Sequence, residues 1–532
     1  MNHRPSWNPW HAGLGLRPPS NTAWNIASSL LVCVGALVSG AAVHAQPMPK
    51  PLAQQVSPLL PPDVDAALAR AKVPREALAV LVVDAAPALT GKTAPLLSLR
   101  ANASVNPASV MKLVTTYAAL ELLGPAYTWN TPVYIDGTIR DGVLQGNLVI
   151  QGRGDPKLVM ERLWLLLRRV QGLGVKTITG DILLDRSAFA VATQNPADFD
   201  GEPLRPYNAT PDALLVNYKS VVMTFVPNLV SGMAAVSFDP PLANVKMQTS
   251  VPLASPQTEC GDYRGALQAD FSDPFRISFK GNYAVSCAEK VWPVAYADPA
   301  SYAERAVLGM WQDMGGKLGG RAREGRAPAG LKPAFESTSA TLAEVIRDIN
   351  KFSNNVMAQQ LFLTLSLSPG LSSGLTPGGQ RAGPAPPPAS NEASREVVRN
   401  WWRERFVEPP DSNDLPVLDN GSGLSRQERI TPQGLARMLQ TAYVSGAMPE
   451  LMASLPITGI DGTLRKSKSR VSQGWAHLKT GSLRDSTALA GYVHTPSGRR
   501  LVVVAVINHP NATAARPALE ALVDWAIQEG SR

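Results

Sequence analysis

Three short motifs most constrain how this chain can fold: Ser109-Val110-Met111-Lys112, then Ser353-Asn354-Asn355, then Lys479-Thr480-Gly481. Each is weak alone. Ordinary residue usage supplies Ser-x-x-Lys about once or twice in a chain this long, and a second Ser-x-Asn stands at Ser104-Val105-Asn106. Taken singly they read as a buried serine near a cap with a solvent-facing lysine, a helix N-cap and an exposed basic turn. Their order and their contexts favour a single site that the fold assembles from distant parts of the chain.

The first context is a strand, a loop and a helix. Residues 77–84 form a short apolar β-prone run, as a buried strand requires. Asn106-Pro107 then offers an N-cap and a first-turn proline. The helix runs through Leu113, Tyr117, Leu120 and Leu123 and stops at Gly124-Pro125. Lys112 thus falls three residues after Ser109 on the same face, within reach of the hydroxyl. A serine hydroxyl is a poor nucleophile until a base takes its proton. A lysine serves when burial and neighbouring positive charge leave it partly neutral, and a helix amino terminus favours negative charge developing at Ser109.

Ser353 sits in a loop between helices expected over 341–350 and 356–365. Its hydroxyl suits a proton relay, and Asn355 suits holding Lys112 and a substrate carbonyl in register. Lys479-Thr480-Gly481 precedes a hairpin expected over 488–494 and 501–507, around Thr495-Pro496-Ser497-Gly498. On such a strand edge the lysine supplies charge, the threonine a hydrogen bond and the glycine room for close approach.

Composition narrows the alternatives. Arg4 and Arg17 precede an apolar stretch over 26–43, with small residues at Val43 and Ala45 before Gln46-Pro47. This reads as a cleavable signal peptide over 1–45; an uncleaved anchor is the other reading. The remaining length favours more than one domain, and no later segment is long and apolar enough to span a membrane. The net charge of +8 is a mild excess without the clustered basic run that nucleic acids demand. Beyond the leader the cysteines are Cys260 and Cys287, which an oxidising compartment would permit to pair; two separate thiols also fit. The histidines there are His477, His494 and His509, with no His-Glu-x-x-His for zinc and no Gly-x-Ser-x-Gly elbow for a Ser-His-Asp triad.

The texture changes in the middle of the chain. Strands are expected over 144–151 and 176–184, the second broken at Gly180-Asp181, with a leucine-rich helix over 155–171. Many β-prone pieces punctuated by Pro, Gly, Asn and Asp follow over 220–291, so residues 145–325 read as β-rich inserted material. A Pro/Gly/Ser-rich stretch over 366–390 reads as a flexible surface insert. A helix over 392–406 resumes the fold, with Trp401 and Trp402 as packing groups, and an amphipathic helix carrying Leu519, Leu522, Val523 and Ala526 closes it.

Further blocks join the three motifs. Pro107-Ala108-Ser109-Val110-Met111-Lys112 with Ala118-Ala119-Leu120 and Leu123-Gly124 resembles the nucleophile helix of D-alanyl-D-alanine carboxypeptidase/endopeptidases of the penicillin-binding protein 4 type. Gly154-Asp155-Pro156, Gly180-Asp181-Ile182 with Asp185 and Phe189, Asn420-Gly421-Ser422-Gly423-Leu424-Ser425 and Gly459-Ile460-Asp461-Gly462-Thr463-Leu464 are similar to that family's blocks. The resemblance implies an α/β, β-lactamase/transpeptidase-like domain, an antiparallel sheet flanked by helices, over 46–145 and 326–532. Inserted β-rich domains would occupy 146–325. The 244 residues from Ser109 to Ser353 (353 − 109) fit that insertion better than a compact β-lactamase.

By the same resemblance Ser109 attacks D-alanyl bonds of peptidoglycan stem peptides, Lys112 is the base, Ser353 relays the proton, and Asn355 holds the base. Lys479, Thr480, Gly481 and Ser482 bind substrate, with the Ser109 and Ser482 N–H groups as oxyanion hole. It implies acylation by β-lactam antibiotics, no cofactor or metal, and a periplasmic location. A β-lactamase or esterase on the same fold, and a non-catalytic envelope scaffold, are the alternatives.

Overall fold

The computed structural model describes residues 60–91, 94–192, 194–367, 387–406 and 414–532. The signal peptide expected over 1–45, and most of the Pro/Gly/Ser-rich stretch, lie outside the described residues.

The apolar run near the start of this region forms the strand Leu78–Asp84, and the closing hairpin forms Ser486–His494 and Arg500–Asn508. With Ala476–Leu483 and Leu97–Leu99 they make a five-stranded antiparallel sheet. Its order is 476–483, 486–494, 500–508, 78–84, 97–99. Leu78 pairs with Ile507 and Asp84 with Leu501, so an early strand lies beside a late one.

Both faces of this sheet are covered, which is why its central strands read as nearly unbroken apolar runs rather than alternating ones. Side chains still alternate. Val80, Val82, Val503 and Ala505 pack with the helices Pro62–Arg70 and Arg516–Gly530. Ala79, Leu81, Val502, Val504 and Val506 pack with the larger group Lys112–Leu123, Leu342–Phe352, Asn355–Leu367, Asn391–Phe406 and Pro432–Tyr443. Trp401 meets Tyr117 edge-on at 5.7 Å and Trp402 meets Phe406 at 4.7 Å, so both indoles are packing groups in this core. The expected antiparallel sheet flanked by helices is present.

Between the helices Lys112–Leu123 and Leu342–Phe352 the chain builds three further sheets. A seven-stranded mixed sheet is founded on the hairpin Asn130–Arg140 and Val143–Gln151. It opens at Asn130, ahead of the position 146 expected from texture, and closes with Phe335–Thr338, beyond 325. A four-stranded sheet contains Ser220–Asn228 and Met233–Asp239, and a three-stranded one contains Arg276–Phe279. Cys260 and Cys287 are joined by a disulfide in this region.

The leucine-rich helix runs over Met160–Gly172 rather than from 155. Asp155 instead accepts the Lys157 backbone N–H at 2.9 Å and pairs with Arg162, a side-chain turn that competes with helix. Among the described residues no helix is long and apolar enough to cross a membrane.

Candidate active site

The nucleophile segment starts differently from the simple capped helix its sequence suggests. Ala108–Met111 is a 3₁₀ turn, and the α-helix begins at Lys112. The Asn106 side chain does accept the Ala108 N–H at 2.9 Å, but it also donates to the Ser425 carbonyl at 3.0 Å. Asn508 grips the Asn106 backbone from the sheet, accepting its N–H and donating to its carbonyl, both at 2.9 Å. Ala108 has φ of +48°, a left-handed conformation that costs a non-glycine residue about 1–3 kcal/mol. The grip of Asn106 from two directions holds that strained turn and aims Ser109.

Lys112 is completely buried at the start of its helix. Its Nζ donates to Ser109 Oγ at 3.0 Å, to Asn355 Oδ1 at 2.6 Å and to the Ser422 carbonyl. Burial lowers this ammonium to about 7, against the opposing pull of the Glu428 carboxylate. Asn355 opens the helix Asn355–Leu367 and donates from Nδ2 to the Tyr207 carbonyl at 3.2 Å. That carbonyl belongs to the inserted region, which therefore reaches the base of the site.

Ser353 follows the helix Leu342–Phe352 in a left-handed conformation, φ +57°. It accepts from Lys479 Nζ at 2.9 Å. Lys479 lies on the edge strand Ala476–Leu483, is also completely buried, and donates to the Thr480 carbonyl at 2.7 Å. Burial pushes it well below its ordinary value, and the charge of Lys112 adds to that. Thr480 Oγ1 shares a hydrogen with Thr463 Oγ1 at 2.8 Å. A Cβ at Gly481 would stand 2.5 Å from the Pro107 carbonyl, so glycine is what lets the strand close on the Ser109 turn. Ser482 Oγ accepts from Arg516 at 3.4 Å.

Ser109, Ser353, Thr480, Gly481 and Ser482 line one cavity of about 420 Å³, with Thr463, Lys466 and Arg516 on its walls. Lys112, Asn355 and Lys479 lie buried behind it and connect to it through the serines they bond. All eight residues singled out from the three motifs and Ser482 therefore converge. Sequence reasoning quoted the blocks around Ser422 and Thr463 but gave those residues no role. The Ser422 and Tyr207 contributions are backbone carbonyls, which no residue type advertises.

Chemically, the arrangement pairs a hydroxyl with an amine near neutrality at hydrogen-bonding distance, and a second hydroxyl with a second buried amine. The first pair can generate an alkoxide nucleophile, and the second can move a proton across the cavity. Among the described residues no group of three or more His, Cys, Asp or Glu side chains converges as a metal site would.

Comparison with known proteins identifies the family. Residues 60–529 match the model of the D-Ala-D-Ala carboxypeptidase 3 (S13) family. A D-alanyl-D-alanine carboxypeptidase of Actinomadura sp. (strain R39) is 28% identical over 484 residues, covering 88% of this chain and 84% of the relative. D-alanyl-D-alanine carboxypeptidase DacB of Haemophilus influenzae is 23% identical over 408 residues, 75% of this chain and 80% of the relative. The crystal structure of penicillin binding protein 4 (dacB) from Haemophilus influenzae superposes with a TM-score of 0.65 at 21% identity, covering 86% of this chain and 99% of that one. A second structure of that protein is complexed with a β-lactam. The family match over nearly all the described residues bears out the resemblance read from the motif blocks, and the chain belongs to the D-Ala-D-Ala carboxypeptidase 3 (S13) family.

Proposed function

We propose that this chain is a serine DD-peptidase that cleaves D-alanyl peptide bonds of peptidoglycan in the periplasm, with Ser109 as its nucleophile. Family membership supports the reaction class. One observation carries the assignment of the nucleophile: Lys112 Nζ lies 3.0 Å from Ser109 Oγ, with its pKa lowered to about 7. An amine so poised takes the serine proton as Oγ attacks the carbonyl between two D-alanines. The Ser109 and Ser482 N–H groups receive the developing oxyanion. Ser353, bonded to Lys479, passes a proton to the leaving nitrogen as the C–N bond breaks. Lys479 and Thr480 hold the carboxylate of the departing residue, and that anion favours the charged form of a lysine that burial otherwise disfavours. Water then hydrolyses the ester and regenerates Ser109.

β-Lactams present a carbonyl and a carboxylate in similar disposition, so penicillin acylates the same hydroxyl. A β-lactam complex of a member of this fold supports that expectation. The charged leader and apolar stretch over 1–45 support export, and Cys260–Cys287 pairing suits an oxidising compartment.

Mass spectrometry after brief exposure to benzylpenicillin tests the assignment, with Ser109→Ala beside the parent. The expected result is a stable adduct on the Ser109 peptide that the variant lacks. An adduct elsewhere, or none, overturns it and leaves the scaffold reading stronger. Rapid release of hydrolysed penicillin instead points to a β-lactamase.

A further inference from the structure

The loop that presents its carbonyl to Lys112 is itself held by one acid. Glu428 is completely buried. Its Oε1 accepts three successive backbone N–H groups, those of Asp419 and Asn420 at 3.1 Å and of Gly421 at 2.9 Å. Its Oε2 is buried without a hydrogen-bond partner. The next residue along, Ser422, supplies the carbonyl that accepts from Lys112. The Gly421 carbonyl accepts from Thr115 Oγ1 at 2.6 Å, on the helix that Lys112 begins. Gly421 has φ of +71°, and a Cβ there would stand 2.5 Å from the Phe362 ring. Acid, loop and nucleophile helix are therefore one packed unit.

An ionised carboxylate is costly in such a place unless its charge is used or compensated. No salt bridge in the described residues reaches Glu428 with a 4 Å contact, so compensation comes from the three N–H dipoles and from Lys112 at longer range. A neutral amide or hydroxyl could cap the same N–H groups, so their satisfaction alone does not call for an acid.

We infer that Glu428 is a positioning residue for the reaction at Ser109, holding the Asp419–Ser422 loop against Lys112 and setting that lysine's protonation. The inference rests on the reading of Ser109 and Lys112 given above. Two further charges bear on the pair. The Asp419 backbone N–H lowers Glu428 and the Asp419 carboxylate raises it less, while Arg395 binds the Asp419 carbonyl at 3.0 Å and its carboxylate at 3.7 Å; the charge of Lys112 acts on Lys479. Burial raises Glu428 and lowers Lys112, and the Glu428 carboxylate opposes the lowering of Lys112.

The test is the rate of acylation by a fluorescent penicillin, measured on the full chain from mildly acidic to mildly alkaline pH. Lys112 acts in its neutral form, so the rate falls as pH drops through its pKa. Glu428→Gln keeps an oxygen for the three N–H groups and removes the anion. The acid limb is then expected to move to lower pH, while Glu428→Asp, which keeps the charge but shortens the reach, leaves the limb in place and lowers the plateau. A Gln limb that coincides with the parent's, or an Asp limb that moves as the Gln limb does, overturns the inference. If Glu428→Gln does not fold, the Asp profile decides against the parent's: a displaced acid limb, or a plateau equal to the parent's, overturns the inference. Labelling that persists in Ser109→Ala sinks the nucleophile reading itself, a result separate from any shift at Glu428.

Discussion

The nucleophile helix and the closing edge strand each bury one lysine, and each lysine bonds one serine, at 3.0 Å and 2.9 Å. Their surroundings differ. Lys112 has Ser109, the Asn355 amide oxygen and the Ser422 carbonyl as acceptors, and it feels the Glu428 carboxylate. Lys479 has Ser353 and the Thr480 carbonyl as acceptors, and it feels the charge of Lys112. Burial lowers both lysines; the Glu428 carboxylate opposes that at Lys112, which rests at about 7, whereas the charge of Lys112 adds to it at Lys479. The first is poised to exchange a proton at working pH. At Lys479 an anion entering the cavity would favour the charged form that burial disfavours, which would tie that charge to substrate binding.

The largest effect expected from this contrast is at Lys112. Lys112→Met removes the proposed base but keeps much of the buried volume. Loss of a general base typically lowers rates by about 10²–10⁴-fold, and the acylation rate by penicillin should fall in that range. In the parent the same rate should rise with pH through about 7, because deprotonation creates the active amine. Stopped-flow acylation across pH checks both. A parent profile flat through neutrality would break the comparison at its stronger end.

A smaller loss is expected at Lys479. Lys479→Ala removes the positive charge behind Ser353 and Thr480; at the strength of a charge-assisted hydrogen bond, about 1.5–3 kcal/mol, the loss is roughly tenfold to a hundredfold. The loss should be greatest for ligands that carry the carboxylate and slight for an ester analogue that lacks it. Equal losses on both ligands would mean that Lys479 serves the chemical step rather than anion binding, and the two lysines would no longer divide the work.

What the sequence made legible follows from the same contrast. Ser109, Lys112, Ser353, Asn355, Lys479 and Thr480 make their contacts at the site through side chains in short motifs, and their contexts on helix, loop and strand were readable from capping residues and apolar runs. The Ser422 and Tyr207 carbonyls were not, because every residue carries that group and only folding aims it. Glu428 was missed because an acid between Gln427 and Arg429 reads as a solvated turn. The start of the nucleophile helix was displaced for a related reason. Asn106 looks like a local cap, yet most of its hydrogen bonds run to Ser425, Ser486 and Asn508, far along the chain.

The smallest effect sharpens the comparison on the anion-binding side. Thr463 and Thr480 share a hydrogen at 2.8 Å across the cavity mouth, so Thr480 Oγ1 is oriented from the Gly459–Leu464 block rather than by its own strand. Thr463→Val keeps the shape and removes the hydroxyl. A net hydrogen bond is worth about 0.5–1.5 kcal/mol, roughly two- to tenfold. The expected outcome is a weaker KM for carboxylate-bearing substrates by that factor, with kcat and the acid limb of acylation unchanged. The limb belongs to Lys112, which Thr463 does not touch. A shift in the limb would show that the two lysine regions are coupled through the cavity wall. An unchanged KM would mean that Thr480 keeps its orientation without Thr463.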